Sequence, residues 1–341
     1  MINIAVIGAG HWGPNLIRNM ATLPDARVIA ICDLNVELAQ KVAGKFCPDA
    51  RITTDIRTIY DDPSVDAIVL ATPVVTHFEL GMQALNAGKH LLVEKPLAQT
   101  VSECEQLIEA AERKSLVLMT GHTFKYNSIV KDISRRISEG ELGDVRYIHG
   151  QRVNLGRIQR DSNALWSFAP HDISIFNLWL NKEPVGVSAD GFSCLTPGVQ
   201  DVVFLTLEYP GNVGVNLSLS WLNPQKIRQL TVIGSKKMAV FDDVSLDSKL
   251  AIHDKGVFDP AQESAVYKDY AGFQLAIRHG DIHIPQIKYA EPLGAECQEF
   301  VDSINEGRKP QSDGHSGLRV TKVLEAAQVS LERGNGHWVE L

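Results

Sequence analysis

The sequence predicts an α/β chain of two domains: a doubly wound parallel sheet, then an α+β domain with a large, mainly antiparallel open sheet. Three observations carry this. From Asn3 to about Phe124, short apolar runs alternate with helical patterns, as in β-α-β units. A glycine-rich turn follows the first run. After Asn127 the apolar runs lengthen and alternate residue by residue, as strands with one wet face do.

In the first domain, residues 1–124, the strands fall at 4–7, 28–32, 67–71, 90–93 and 116–119. Their Val, Ile and Leu suit strands buried on both faces. Helices fill the gaps at 14–21, 36–46, 78–87 and 102–113. The second domain, residues 125–341, opens with a helix to about Glu139 and the turn Gly140-Glu141-Leu142-Gly143. Strands follow at 145–154, 185–192, 202–209, 213–219, 229–234 and 237–241, with a helix at 169–180 among them. Residues 247–292 read as surface loops and edge strands. Two helices close the chain, with apolar stripes at Leu293, Cys297, Phe300, Val301 and Ile304, and at Val320, Val323, Leu324 and Ala327. They are expected to pack back toward the first domain.

At 341 residues the chain exceeds one ordinary core, and 44% hydrophobic with 22% charged residues is typical of soluble proteins. A net charge of −8 without a Lys/Arg cluster disfavours nucleic acid as a partner. No basic stretch precedes an apolar leader and no run is long enough for a membrane span, so a cytoplasmic protein without membrane association is expected. The five cysteines, Cys32, Cys47, Cys104, Cys194 and Cys297, are scattered singly and read as reduced thiols. His279 and His283 lack a third ligand nearby, so no metal is expected.

In Gly8-Ala9-Gly10-His11-Trp12-Gly13 the turn follows a strand and opens a helix with Pro14 in its first turn. Asp33 ends the next strand about 20 residues beyond Gly13. Gly8 permits the tight turn, Gly10 lets a pyrophosphate approach the backbone, and Gly13 allows helix-to-strand packing, while the helix N-terminus offers N–H groups to the anion. His11 and Trp12 belong to the same cradle. Asp33 accepts from both ribose hydroxyls and would repel a 2′-phosphate, and Leu34-Asn35 supplies no arginine, which predicts NAD rather than NADP. A turn alone, with Asp33 capping the helix near Val36, is the alternative. The coincidence of strand, spacing and acid favours the Rossmann dinucleotide site.

Two further segments end strands on the ligand-binding edge of such a sheet and are expected beside the nicotinamide: Thr72-Pro73 with His77, and Glu94-Lys95-Pro96. Lys95 leaves a buried strand, an odd place for a solvated side chain, although snorkelling from a sheet edge would also account for it. Oxidising a secondary alcohol needs a base and a group that polarises the oxygen. His171, in Leu165-Trp166-Ser167-Phe168-Ala169-Pro170-His171-Asp172-Ile173-Ser174, is the candidate base, a capping or packing role being the alternative.

The glycine turn, Thr72-Pro73 with His77, Glu94-Lys95-Pro96, Gly121-His122-Thr123-Phe124-Lys125-Tyr126-Asn127 and Pro170-His171-Asp172 together resemble the Gfo/Idh/MocA family of sugar and cyclitol oxidoreductases, over nearly the whole chain. The resemblance implies that Lys95 contacts the nicotinamide ribose and the reacting hydroxyl, that His171 is the general base, and that the Lys95–Pro96 peptide is cis. Many members carry an aspartate four residues before the histidine, where this chain has Ser167. If that stretch is helical, Ser167 shares a face with His171 and can orient the ring by a hydrogen bond. Asp172, next in sequence, points elsewhere and is a poorer substitute, which shifts weight to Lys95.

Gly10-His11-Trp12-Gly13-Pro14-Asn15-Leu16, Gln151-Arg152-Val153-Asn154-Leu155-Gly156, the His171 segment and Ser312-Asp313-Gly314 are similar to a subgroup that oxidises the 3-hydroxyl of UDP-N-acetylglucosamine or its uronic acid. Substrate contacts are then expected from Lys95, Arg152, Asn154, Trp166, Ser167, His171 and Asp172. Arg152 would take an anion, Asn154 hydroxyls and Trp166 a sugar or base face, ordinary strand and loop roles being the alternative. Two other readings stay open: an inositol or free-sugar dehydrogenase, and a non-catalytic NAD-sensing binding protein. The open face of the second sheet predicts a homodimer or homotetramer.

Overall fold

Six strands, all parallel, lie in the order β3-β2-β1-β4-β5-β6. They are β1 (Ile2–Ile7), β2 (Ala26–Cys32), β3 (Arg51–Thr53), β4 (Ala67–Leu70), β5 (His90–Glu94) and β6 (Leu118–Gly121). The order reverses between β1 and β4, which is where a doubly wound sheet opens a crevice at its carboxyl edge. The computed structural model describes all residues except 157, 159–161, 259–275 and 335. This sheet belongs to one compact unit, Met1–Asn127 with Ala290–Glu325; Ser128–Tyr289 with Ala326–Leu341 make a second.

Apolar side chains alternate to both faces of the sheet. Ile4, Val6 and Val69 meet Leu16, Ile17 and Met20 of α1 (Gly13–Thr22), Ala39 and Val42 of α2 (Val36–Phe46), and Cys297, Phe300 and Val301 of a late helix. Ile7, Ile68, Leu91 and Val93 meet Ile59 of α3 (Arg57–Tyr60), Ala84 and Leu85 of α4 (His77–Asn86), and Cys104 and Leu107 of α5 (Val101–Arg113). At about 25 cal/mol per Å², each of these fully buried aliphatic side chains contributes roughly 1.5–3 kcal/mol. Thr100 and Glu103 start α5 with a reciprocal capping box, visible in the sequence as Thr-x-x-Glu. The parallel strands thus appear where the apolar runs place them. β3 and α3, at three and four residues, are too short to show periodicity.

The second unit begins with α6 (Ser128–Ser138) and is built on nine strands in the order β14-β13-β12-β11-β7-β10-β9-β8-β15. They are β7 (Val145–Leu155), β8 (Gly186–Phe192), β9 (Val202–Tyr209), β10 (Val213–Ser220), β11 (Leu222–Gly234), β12 (Met238–Asp242), β13 (Leu250–Phe258), β14 (Ala276–His283) and β15 (Val339–Glu340). Among the described residues of this sheet only β7 with β10 pairs parallel. On β9 and β10 buried and open positions alternate strictly, so one face packs inward and the other stays open.

The helix α7 (Ala164–Leu180) starts five residues earlier than its pattern indicates. Proline usually marks a helix start or stop. Here Asn163 provides the start, its Oδ1 accepting from the Trp166 N–H at 3.1 Å, and the helix runs on through Pro170. β13 and the edge strand β14 occupy part of the stretch read as loops and edge strands. The chain closes with α8 (Pro292–Glu306) and α9 (Gly314–Arg333), which passes from the first unit to the second after Glu325. Among the described residues no helix is long and apolar enough to cross a membrane, and no three His, Cys, Asp or Glu side chains gather to hold a metal. All five cysteines are free thiols.

Candidate active site

The glycine turn is shaped by contacts a side chain would destroy. Gly8 has φ 99°, and a Cβ there would lie 2.6 Å from the Ala71 carbonyl oxygen. A Cβ on Gly13 would strike the Gly8 carbonyl, whereas at Gly10 nothing lies within 4 Å. Gly10 therefore faces open space. The first turn of α1 carries no acidic residue, so its N–H groups and dipole are unopposed. His11 and Trp12 are exposed beside them.

Asp33, just beyond β2, accepts from the Ala9 N–H at 2.6 Å through Oδ2 and from the Asn35 N–H at 2.8 Å through Oδ1. The cap of α2 is Asn35, whose Oδ1 accepts from Leu38 N–H. Asp33 is thus a carboxylate held against the glycine turn and not the helix cap. A free approach at Gly10, an anion-seeking helix start and an oriented acceptor together fit a dinucleotide's pyrophosphate and ribose.

Farther along the same edge, the Lys95–Pro96 peptide is cis. His77 is buried; its Nδ1 lies 2.9 Å from the Pro96 carbonyl oxygen and its Nε2 2.9 Å from that of Thr72. Burial lowers its pKa and the Lys95 charge adds to that, opposed by the two carbonyl acceptors, of which a neutral ring can donate to one only. His77 consequently braces the loop after β4 against the loop after β5. The Thr76 hydroxyl donates to the Thr72 hydroxyl at 2.8 Å, and Pro73 lies exposed at the rim.

Behind Lys95 lies a buried polar cluster that sequence reading only partly finds. The Glu94 carboxylate accepts from the Lys95 N–H at 3.2 Å through Oε2. Glu296 of α8 is wholly buried. It sits one residue before Cys297 and four before Phe300, so its place on the apolar stripe was a legible signal. His122 is wholly buried, and neither ring nitrogen has a hydrogen-bond partner among the described residues. Burial, reinforced by the charges of Lys125, Lys95 and Arg319, pushes its pKa down to about 3. Lys125 donates to the Gln311 carbonyl at 2.6 Å and the Ser316 hydroxyl at 2.9 Å, and burial lowers its pKa to about 8. Ser312-Asp313-Gly314 is a structural join: Ser312 accepts from the Thr120 N–H and its hydroxyl meets that of Tyr126, while Asp313 accepts from the Ser316 N–H.

In the second unit, Ser167 and His171 are four residues apart inside α7 and so lie on one face. Arg152 of β7 donates to both oxygens of Asp172, at 2.6 and 2.7 Å, with both side chains buried. The guanidinium, expected to meet a substrate anion, is turned to α7, and Asp172 points into the unit rather than along the His171 face. Arg228 of β11 stands opposite Arg152 in register and reaches Asp243 at 3.4 Å. Asn154 is half-buried, its side chain folded over Gly156. Trp166 is half-buried, its indole N–H donating to Gln328 Oε1 at 3.3 Å.

Residues 2–122 match the family model described as "Oxidoreductase family, NAD-binding Rossmann fold", and residues 130–240 match "GFO/IDH/MocA C-terminal domain". Inositol 2-dehydrogenase of Gluconacetobacter diazotrophicus is 29% identical over 100% of this chain and 97% of its own. UDP-N-acetylglucosamine 3-dehydrogenase of Acidithiobacillus ferrooxidans is 25% identical over 96% of each chain. A levoglucosan dehydrogenase solved with NADH and levoglucosan has the same fold, with TM-score 0.82 and 22% identity over 99% of both chains. The first domain therefore binds NAD, and the chain belongs to the Gfo/Idh/MocA family of oxidoreductases.

Proposed function

We propose that this protein oxidises a secondary hydroxyl of a sugar, at C3 of a UDP-linked N-acetylhexosamine or its uronic acid. The match to UDP-N-acetylglucosamine 3-dehydrogenase across 96% of both chains carries the choice of substrate. Bound NAD supplies the hydride acceptor. Gly8, Gly10, Gly13 and Asp33 seat it, with His11, Trp12, Thr72, Pro73 and Glu94 along the same edge. Lys95 is held there by the His77 brace on the Pro96 carbonyl, and it holds the reacting hydroxyl by an N–H bond that strengthens as negative charge grows on the oxygen. His171 takes the hydroxyl proton, and Ser167 orients its ring from one helical turn away. Arg152 and Asp172 act as positioning residues that fix α7 on the sheet, while Asn154 and Trp166 meet the sugar.

The test is incubation with NAD and UDP-N-acetylglucosamine, or its uronic acid, with 2-oxoglutarate present to reoxidise bound NADH. A 3-keto product is expected, with a loss of about a hundredfold or more in Lys95→Ala. No turnover of either nucleotide sugar would overturn the substrate. The 29% identity to an inositol 2-dehydrogenase favours a cyclitol as the second reading, and myo-inositol in the same assay separates the two. Intact cellular function in both Lys95→Ala and His171→Ala would instead point to a non-catalytic NAD-sensing protein. Sedimentation equilibrium tests the proposed homodimer or homotetramer.

A further inference from the structure

We propose that Glu94 and Glu296 form a buried pair sharing one proton, and that the charge on this pair sets the protein's preference between oxidised and reduced cofactor. The proposal rests on NAD binding and is independent of which sugar is the substrate.

Glu94 stands at the carboxyl end of β5, on the sheet edge where a doubly wound fold takes its ligand. Its Oε1 has no hydrogen-bond partner among the described residues, and neither has Oε1 or Oε2 of Glu296. Burial lifts Glu296 well above the usual carboxylate range, and repulsion from Glu94 lifts it further. Burial also pushes Glu94 up to about 7, against the lowering effects of Lys95 and Trp12. Two carboxylates deprived of water cannot both ionise readily. A proton on Glu296 would supply the donor that the bare Oε1 of Glu94 lacks.

The surroundings leave little else to titrate in the same range. Around Glu94 stand Lys95, the Trp12 indole and the backbone of Gly121, whose Cβ position would come within 3.3 Å of Oε1. Around Glu296 stand Thr123, Tyr126 and Cys297, and α1 packs on α8 with Arg18 already tied to Glu291. His122 stays neutral, and its charged neighbours are Lys125, Lys95 and Arg319. Lys125 loses its proton only near 8. Within this buried cluster the pair is the group whose charge changes between acidic and neutral pH, and every protein compared carries His11→Asn so that the exposed histidine of the glycine turn does not contribute.

The oxidised nicotinamide ring carries a positive charge and the reduced ring none. Loss of the pair's second proton adds a negative charge that favours the oxidised form. The experiment measures Kd for NAD⁺ and for NADH separately, from about pH 5.5 to about 7.5, below the Lys125 titration. In the wild type the ratio Kd(NADH)/Kd(NAD⁺) should rise about tenfold over that range. Glu296→Gln exchanges one neutral donor for another, so its ratio should keep the wild-type rise, whereas Glu296→Leu removes the donor and should hold the ratio at the low-pH value. Glu94→Gln should be flat at the low-pH value. The carboxylic-acid C=O stretch in infrared spectra of the protein without cofactor gives a second readout. A band lost on raising the pH in the wild type should be lost likewise in Glu296→Gln and should not change in Glu94→Gln. A flat wild-type ratio, a wild-type pH response in Glu94→Gln or in Glu296→Leu, or an unchanged infrared band in the wild type would overturn the proposal.

Discussion

Arg152 grips Asp172 through two parallel hydrogen bonds, Nε to Oδ2 and Nη2 to Oδ1, with 5% and 1% of the two side chains exposed. The pair pins the middle of α7, and with it the neighbouring His171, to β7. Asp172→Ala would leave a guanidinium buried without its counter-charge and should destabilise the protein by about 3–5 kcal/mol. The apolar double variant Arg152→Met/Asp172→Leu should regain most of that in urea unfolding. It should keep KM near the wild-type value while kcat falls if the pair positions His171. Equal stability of single and double variants would remove the charge-burial argument.

Ser167 stands one turn before His171 on α7. Ser167→Asp puts a carboxylate within reach of the ring and should raise the basic pKa in the kcat/KM profile by about one unit. Ser167→Ala should lower kcat without moving the cofactor's Kd. An unmoved profile in Ser167→Asp would mean that the two side chains do not meet.

Gly13→Ala drives a methyl group into the Gly8 carbonyl, and cofactor affinity should drop at least about tenfold, read by quenching of Trp12 fluorescence or by calorimetry. Asp33→Ser removes the acceptor of the Ala9 N–H as well as a ribose partner. Its affinity for NAD should fall about tenfold while that for NADP changes little or improves. Equal losses for both cofactors would show that only the turn had been damaged.

His122 predicts an acid-sensitive fold. An unfolded histidine gains its proton near 6.5, whereas burial holds that of His122 down to about 3. Across that window the unfolded chain binds the extra proton, so stability is complete above 6.5 and falls as pH drops toward 3. His122→Phe removes this dependence, and because neither ring nitrogen has a partner among the described residues, the variant should be about as stable as the wild type at pH 7. Its advantage in unfolding free energy, read from denaturant titration, should widen to a few kcal/mol, in order of magnitude, by about pH 4.

Much of this was legible in the chain. The five longer parallel strands and the glycine turn each rest on local patterns, a run of Val and Ile or a fixed spacing of Gly and Asp, and local patterns survive in sequence. Asp33 could be read as a ribose acceptor or a helix cap, and the Asn35 cap is what separates the two. Arg152 was misleading because a strand sequence does not say which helix residue faces it. Glu296 was visible as an acid on an apolar stripe, but its meaning needed Glu94, about 200 positions away, to be brought beside it. α7 hid its first turn because Pro170 reads as a boundary until Asn163 is seen to cap the helix earlier.

The first unit is not contiguous: it is left at Asn127 and rejoined at Ala290. One face of its sheet is completed by Cys297, Phe300 and Val301 of α8. A ribosome that has delivered the glycine turn and all six parallel strands has therefore yet to supply Leu293, Cys297, Phe300 and Val301 to that core. The growing chain must carry an uncovered apolar face until some 170 further residues have emerged, roughly 10–30 s of synthesis. Expression of the first 124 residues alone should give an aggregating fragment, and a usable NAD-binding module would need Ala290–Glu325 spliced after Asn127 through a short linker.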